Sequence, residues 1–288
     1  MIDLHMHSDA SDGNLSAKEL VELALKNGLE AIAITDHDTV GSIAAAIKYA
    51  ADKNIEIVPG IEINCDASEV GFKEVEAVGL FIDYKHDAMA KFVKEAKEER
   101  IEQKKKIVKK LQELGFDITF EELMPLAKGA LGRPHIAQLL IQKAPGKFLS
   151  ISDVFDKYLG VGKPAHVERE KKYTLKQAIS LIKKCGGLAF LAHPGAYGKD
   201  PAKLIDLFKS QGGHGIETYY PYHLICPELE IDEKENLRLI ESFQEMAKNR
   251  KMLESGGSDF HGGDRETINS VKIPYEVLDI LKKVHLKI

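Results

Sequence analysis

Two histidines near the amino terminus, His5 and His7, follow the short apolar run Ile2-Asp3-Leu4 at a spacing of two residues. Residues i and i+2 of an extended segment lie on one face, so both imidazoles are predicted to converge just past the end of a buried strand. Asp12 follows a loop of small residues and would place a carboxylate nearby. Two imidazoles and a hard oxygen ligand suit Mn, Fe or Zn better than Ca or Mg. The pair alone is equally consistent with exposed or hydrogen-bonded histidines, because so short a motif recurs by chance.

The elements that must position these side chains alternate between strands and helices. Two capping boxes, Ser16 with Glu19 and Thr174 with Gln177, predict the starts of two helices. Strand-like runs occur at seven places, residues 2–4, 31–35, 55–58, 74–82, 188–192, 215–219 and 252–256. Such alternation predicts a parallel sheet, either open or closed into a barrel.

The middle of the chain breaks this alternation. Residues 87–114 show a lysine-rich amphipathic pattern that predicts one long helix, and shorter helical segments follow it. No convincing buried strand occurs in this block, so we predict a helical insertion lobe at residues 100–168. The predicted barrel then consists of residues 1–99 and 169–288.

The composition is that of an ordinary soluble enzyme, with 44% hydrophobic and 30% charged residues among 288. A net charge of −5 and the lack of a basic tract do not indicate nucleic-acid binding over the whole surface. No apolar run approaches the ~20 residues that span a bilayer, and the first predicted strand leaves no room for a signal peptide. Cys65, Cys185 and Cys226 have no paired or Cys-x-x-Cys spacing. We therefore expect a cytoplasmic protein without membrane contact, and no obligate protein partner is evident.

Potential metal ligands and acid–base groups recur at the predicted strand ends. The active site of an α/β fold lies at the carboxyl ends of its strands, so these residues are expected to meet there. In chain order they are His5 and His7, His37, Glu62, Glu76, His193, Glu217, and Asp259 with His261. One divalent ion takes about four to six such ligands, so two or three ions sharing a bridging carboxylate are predicted. Such clusters are typical of phosphate-ester hydrolases, in which a metal-bound hydroxide attacks the phosphorus.

The same residues lie in motifs whose order resembles the PHP (polymerase and histidinol phosphatase) family. The motifs are Asp3-Leu-His-Met-His-Ser8, Ser11-Asp-Gly13, Thr35-Asp-His-Asp38, Gly60-Ile-Glu62, Gly132-Arg-Pro-His135, Ala192-His-Pro194, Gly215-Ile-Glu217 and Gly257-Ser-Asp-Phe-His261. The resemblance spans residues 2 to about 270. It looks closest to stand-alone phosphoesterases acting on nucleoside 3′,5′-bisphosphates and short RNA. It implies an α/β fold, a distorted (β/α)7 barrel with a helical insertion over one mouth.

The resemblance also implies three metal positions. The ligands of the first are His5, His7, Glu62 and Asp259, those of the second are Asp12, His37 and His261, and those of the third are Glu62, His193 and Glu76. The family usually carries histidine where this chain has Glu76. A carboxylate there lowers the charge of the third site, so its occupancy is left open. The residues expected to form the catalytic centre are Asp12, His37, Glu62, His193, Asp259 and His261.

Three further residues are expected to contact the substrate phosphate. Arg133 and His135 open a predicted helix in the insertion, and the planar donor fork of arginine fits phosphate oxygens. The alternative for Arg133 is a structural salt bridge. His223 follows a strand end and would reach the phosphate or the leaving group. Asp36 and Asp38 flank His37 and are expected to orient its free ring nitrogen.

The function expected from these residues is metal-dependent hydrolysis of a phosphate monoester. The resemblance favours a small phosphorylated nucleotide such as 3′-phosphoadenosine 5′-phosphate, with short single-stranded RNA as a further substrate. The alternatives are a histidinol-phosphate-type or other small-molecule phosphatase, a metal amidohydrolase, and a non-catalytic metal-binding regulatory module of the same family. The sequence leaves open the metal identity, the leaving-group acid and the oligomeric state.

Overall fold

The regular structure comes from a computed structural model, which describes residues 1–126, 131–198, 200–263 and 267–288. Among these residues the strands are β1 (Ile2–Met6), β2 (Ala31–Ile34), β3 (Glu56–Ala67), β4 (Phe72–Leu80), β5 (Tyr173–Thr174), β6 (Leu188–Leu191), β7 (Gly215–Tyr219) and β8 (Leu253–Gly256). The helices are α1 (Ala17–Lys26), α2 (Ile43–Ala50), α3 (Asp87–Glu113), α4 (Arg133–Lys143), α5 (Ile151–Val154), α6 (Leu175–Lys184), α7 (Pro201–Ser210), α8 (Tyr222–Ile225), α9 (Glu233–Arg250) and α10 (Tyr275–His285). Both predicted capping boxes are confirmed, at the starts of α1 and α6.

One mixed sheet carries all eight of these strands. Seven of them follow the order β1-β2-β3-β4-β6-β7-β8, and β5 pairs with β3 outside this path. The sheet is curled, because the segment after β8 returns to β1. There the N–H of Asp259 donates to the carbonyl of His5, and the N–H of His7 donates to that of Phe260, each at 2.9 Å. A mixed α/β fold is therefore confirmed, and the closed (β/α)7 barrel stays a prediction.

The expectation of a uniformly parallel sheet is wrong at β4. This strand is antiparallel to both β3 and β6, whereas β1, β2 and β3 are parallel, as are β6, β7 and β8. The physical reason is the short connection between β3 and β4, a 3-10 turn at Ser68–Val70 that ends at Gly71. A parallel crossover needs about a dozen residues or more. The link between β3 and β4 is shorter, so these two strands form an antiparallel hairpin.

The third strand is also much longer than predicted. The sequence predicted this strand over residues 55–58. In the structure β3 continues through Pro59 and Gly60, and a Cβ on Gly60 would lie 2.7 Å from Thr35 Cγ2. Glycine is required there by this close approach. As a consequence Glu62 lies within β3 and Glu76 within β4, so the placement of both at strand ends is corrected.

The side chains of β1 alternate between two environments. Ile2, Leu4 and Met6 pack into hydrophobic clusters with neighbouring strands and helices. Asp3 and His5, which alternate with them, and His7, which directly follows β1, are equally buried but polar. Successive side chains of a strand point to opposite faces, so the predicted common face of the two histidines follows directly from the strand geometry.

The chain packs as two compact units, Met1–Lys91 with Lys172–Ile288, and Phe92–Lys171. The second unit has a hydrophobic core of its own, in which Ile107, Leu111, Ile136 and Leu140 are fully buried. The predicted limits of the insertion lobe, 100–168, stay a prediction. None of the helices in the described parts of the chain is both long and apolar enough to cross a membrane.

Candidate metal centre

Two imidazoles form the floor of the site. His5 and His7 are completely buried, and their Nε2 atoms lie 3.1 Å apart. Both Nε2 atoms face the same two carboxylate oxygens. Glu62 Oε2 lies 3.3 Å from each, and Asp259 Oδ1 lies 3.4 Å from His5 and 3.0 Å from His7. The structure therefore brings together the four residues predicted for the first ion.

A second group lies beside the first and is more exposed. Asp12 Oδ1 is 3.3 Å from His261 Nε2, and Asp12 Oδ2 is 3.7 Å from His37 Nε2. The His7 ring stacks on that of His261 with centroids 4.1 Å apart, and His7 Nδ1 lies 3.8 Å from Asp12 Oδ1. The three residues predicted for the second ion are thus together, and His7 borders both groups.

The third group gathers around the other side of Glu62. His193 Nε2 lies 3.2 Å from Glu62 Oε1 and 3.3 Å from Glu76 Oε2. His37 Nδ1 lies 3.0 Å from Glu62 Oε2, so the two oxygens of this carboxylate face different imidazoles. Glu62 consequently lies between all three groups, as a bridging ligand must. Glu76 Oε1 accepts a hydrogen bond from Asn64 Nδ2 at 3.2 Å, which leaves Oε2 facing His193.

The backbone around these residues is unusual. His193 follows β6 with φ of 25°, and Asp259 follows β8 with φ of 49°. Non-glycine residues rarely adopt positive φ, and such conformations cluster at functional sites where the surrounding structure holds them. In this chain they occur at two of the predicted ligands.

The donor atoms fit divalent metal ions. Ligands ~2.1 Å from an ion lie ~3.0 to 3.4 Å apart at octahedral or tetrahedral angles, which is the spacing of the Nε2 and carboxylate oxygens of the first group. The structure also leaves buried His7 Nδ1, Asp12 Oδ1 and His193 Nδ1 without a hydrogen-bond partner among the described residues. Three sets of side chains have ligand atoms close enough to hold an ion: His7, Asp12, His37 and His261; His5, His7 and Asp259; and His37, Glu62 and Glu76.

The electrostatics of the cluster also favour bound cations. Burial alone would raise the pKa values of Asp12, Glu62 and Asp259, but the neighbouring imidazoles hold all three well below their usual values. Burial alone would lower the pKa of His5, but the carboxylates of Glu217, Glu62 and Asp259 raise it well above its usual value. Such a concentration of buried carboxylates requires positive charge, which divalent cations supply when bound.

Glu217, which was predicted at a strand end, lies within β7. Its carboxylate accepts from His5 Nδ1 at 2.9 Å and from the backbone N–H of His193 at 2.9 Å. Since an ionised carboxylate only accepts, His5 Nδ1 carries a proton, so the neutral ring that binds a metal ion would direct its Nε2 lone pair into the cluster. Carboxylates that hold ligating histidines in this way orient the ring and fix its tautomer. Tyr220, which the sequence analysis did not predict for the site, similarly donates from its hydroxyl to Asp259 Oδ2 at 2.7 Å.

The predicted phosphate-binding residues lie in different surroundings. His223 is half-buried in α8, and its Nδ1 has no hydrogen-bond partner in the described part of the chain. Arg133 and His135 belong to the second unit and form the first turn of α4. The Arg133 guanidinium lies 5.7 Å from the Phe155 ring centroid, and His135 Nδ1 accepts from the N–H of Gly132. The roles of all three residues stay a prediction.

Comparison with known proteins identifies the family. Residues 3–170, more than half of the chain, match the PHP domain. The chain belongs to the PHP family. Its enzyme class, metal-dependent phosphoesterase, agrees with the expectation from the sequence motifs.

Two curated relatives and one solved structure show how far the similarity extends. A 5′-3′ exoribonuclease of Haemophilus influenzae is 36% identical over 262 residues, 90% of this PHP chain and 89% of the relative. A 3′,5′-nucleoside bisphosphate phosphatase of Chromobacterium violaceum is 31% identical over 95% of this chain and 92% of the relative. A structure described as an amidohydrolase from Chromobacterium violaceum, with bound SO4 and no metal, superposes with a TM-score of 0.82 at 30% identity, covering 98% and 96% of the two chains.

Proposed function

We propose that this PHP protein hydrolyses a phosphate monoester of a small phosphorylated nucleotide, such as a nucleoside 3′,5′-bisphosphate. Water adds to phosphorus, the ester P–O bond breaks, and the products are inorganic phosphate and the free alcohol of the nucleotide. Short single-stranded RNA is proposed as a further substrate. The names of the two curated relatives support a nucleotide or RNA substrate.

The observation that carries the proposal is the position of Glu62 between three groups of ligand atoms. We assign His5, His7, Glu62 and Asp259 to one divalent ion, Asp12, His37 and His261 to a second, and Glu62, His193 and Glu76 to a third. Two or three ions of Mn, Fe or Zn, when bound, supply Lewis-acid activation of water and neutralise phosphoryl charge.

The protein side chains have defined tasks in this proposal. The imidazoles and carboxylates hold the cations at fixed positions, and Glu217 and Tyr220 hold His5 and Asp259 in turn. A preorganised site of this kind stabilises the charge that develops on the phosphoryl group without reorganising during the reaction. Arg133, His135 and His223 are proposed to bind the substrate phosphate, with Arg133 providing paired donors.

Three rival functions differ in how well they fit the centre. An amidohydrolase is favoured by the description of the similar solved structure. Amidohydrolases commonly bridge their metals with a modified lysine, whereas here a carboxylate, Glu62, has that position. A histidinol-phosphate-type or other small-molecule phosphatase would use the same centre with a different substrate. A non-catalytic metal-binding module is disfavoured by the convergence of all nine predicted ligands.

One assay distinguishes these functions. Purified protein is depleted of metal, reloaded with Mn²⁺, Fe²⁺ or Zn²⁺, and incubated with 3′-phosphoadenosine 5′-phosphate, histidinol phosphate, sugar phosphates, a 5′-phosphorylated RNA oligonucleotide and a panel of amides. We expect metal-dependent phosphate release that is fastest with the nucleoside bisphosphate. Faster release from histidinol phosphate, hydrolysis of amides only, or stoichiometric metal binding without turnover would each replace the proposal by the corresponding rival.

A further inference from the structure

Asp36 is a completely buried carboxylate immediately before His37. Its Oδ1 accepts from the backbone N–H of Ser8 and the hydroxyl of Ser11, both at 2.7 Å. Its Oδ2 accepts from the hydroxyl of Ser8 at 2.7 Å and from the hydroxyl of Ser42. A carboxylate has about four acceptor positions, and these four hydrogen bonds occupy them. Any effect of Asp36 on the metal centre is therefore transmitted through the segments that these hydrogen bonds join.

The segments joined by Asp36 are those that carry two predicted ligands of the second ion. Ser8 and Ser11 belong to the loop that ends in Asp12, and Asp36 itself precedes His37 at the end of β2. The loop has no regular secondary structure, and within it Ser11 N–H and Gly13 N–H donate to the carbonyl of Ser8. Its attachment to the β2 side consequently runs through Asp36.

The third serine, Ser42, donates its hydroxyl to Asp36 instead of capping its own helix. Ser42 is the residue before α2, where a serine hydroxyl normally accepts from the first N–H groups of the helix. Here Ser42 makes no side-chain cap, and its hydroxyl is directed to Asp36. A buried carboxylate is unfavourable unless it is well hydrogen-bonded, so the arrangement commits three serines to keeping one charge in place.

We propose that Asp36 is a positioning residue that holds the Asp12 loop against the end of β2, and thereby sets the distance between Asp12 and His37. Through this distance, 3.7 Å between Asp12 Oδ2 and His37 Nε2, it controls the affinity of the ion that Asp12, His37 and His261 bind. The inference deepens the proposed function and rests on its assignment of the second ion. It adds a residue that does not itself touch metal or substrate.

The test compares Asp36→Ala, Asp36→Asn and Ser11→Ala with wild type and with Asp12→Ala. A matched control is Glu56→Gln, which removes another hydrogen-bonded carboxylate: Glu56, the first residue of β3, accepts from Tyr275 and Lys282. Each protein is titrated with Mn²⁺ alone, and bound metal per chain, Mn²⁺ affinity and circular dichroism are measured. Turnover is then followed as a function of Mn²⁺ concentration.

We expect Asp36→Ala to weaken one class of Mn²⁺ site about 10- to 100-fold, with the other ions retained and the fold intact. Asp36→Asn keeps an oxygen for Ser8 N–H and Ser11 and should fall between wild type and alanine. Ser11→Ala removes one of the four hydrogen bonds to Asp36, so its smaller loss keeps the test decisive if Asp36→Ala fails to fold. Excess Mn²⁺ should restore turnover in the folded Asp36 and Ser11 variants. Glu56→Gln should bind metal as wild type does.

Two outcomes overturn the inference in different ways. If Asp12→Ala loses one ion while Asp36→Asn and Ser11→Ala bind Mn²⁺ with wild-type affinity, Asp36 has no positioning role and the proposed centre stands. If Asp12→Ala itself binds the wild-type number of ions, the second site is wrongly assigned and the inference fails with it.

Discussion

Two regions of the metal centre differ in how their side chains are held. The inner group, His5, His7 and His193, is almost fully buried, at 0%, 0% and 8% side-chain exposure. Glu217 on β7 contacts both His5 and His193, so the sheet itself orients this group. The outer group, Asp12, His37 and His261, is 18% to 34% exposed and lies on loops after the strands.

The difference separates two ways of building a ligand set. Among the inner ligands His5 lies within β1, and Glu217 within β7 holds both His5 and His193, so elements of the sheet that the hydrophobic core protects from fluctuation support this group. The Asp12 loop of the outer group is held by hydrogen bonds to the Asp36 carboxylate and by backbone hydrogen bonds, among them Asn14 N–H to the carbonyl of His261. We therefore expect the inner ion, assigned to His5, His7, Glu62 and Asp259, to bind more tightly, and the outer ion, assigned to Asp12, His37 and His261, to exchange first. Four predictions test this comparison.

The largest effect is expected for Glu62→Gln, because Glu62 contacts imidazoles of both groups. The amide loses the negative charge and one of the two bridging oxygens, so inner and outer ions should both be weakened. Turnover should fall by more than about 100-fold, beyond the usual loss for residues that only support a ligand. Metal content and turnover are the measurements, and Glu56→Gln on the same strand is the control. Retention of all ions with wild-type turnover would remove Glu62 from the centre.

Asp12→Ala should affect the outer group alone. We expect loss of one ion and a roughly 100-fold fall in turnover, with the inner ion retained. Metal analysis after stepwise chelation measures this, and in wild type the same experiment should release the outer ion first. Simultaneous release of all ions from wild type would contradict the division into two groups.

Glu217→Gln should produce the complementary defect in the inner group. Glutamine can donate to or accept from His5, so the tautomer that directs Nε2 inward is no longer enforced. We expect a loss of about 10- to 100-fold in affinity for the inner ion, with the outer ion retained. Glu254→Gln on the neighbouring strand, where Glu254 accepts from Thr218, is the control. An equal loss at both ions would show that the two groups are not independent.

The smallest effect concerns pH and the metal-free protein. Burial alone would lower the pKa of His7, but hydrogen bonds to Asp259 and Glu62 raise it from 6.5 to about 10. Because the folded-state pKa is the higher one, the stabilisation is fully present below about pH 6.5 and is lost as the pH rises through about 10. We expect the melting temperature of the metal-free protein to fall by about 2–4 °C between pH 7 and 10.

The metal-loaded protein is the control for this pH dependence. Its imidazoles must already be neutral to bind metal, so its melting temperature should change less over the same range. A metal-free protein whose stability does not depend on pH between 7 and 10 would contradict the charged state of His7.

Much of the inner group could be predicted from the sequence, since local rules place it. The spacing of two between His5 and His7 fixes a common face on any strand, and His193 directly follows an apolar run that reads as a strand. The ligand types alone indicated a transition-metal centre. The sequence also predicted Asp12, His37 and His261 near strand ends, and the resemblance to the PHP family added their assignment to one ion.

The rest was decided by contacts between residues far apart in the chain. Glu62 and Glu76 meet the histidines because β3 and β4 form a hairpin, which a pattern of alternating strands and helices does not reveal. Glu217 supports His5 across 212 residues, and Asp36 supports the Asp12 loop across 25 to 28 residues. Side-chain periodicity determines on which face of its strand a residue lies. The register and curl of the sheet determine which residues of other strands it contacts. For that physical reason the sequence by itself determined the chemistry of the ligands, and only the tertiary structure decided how they are grouped and supported.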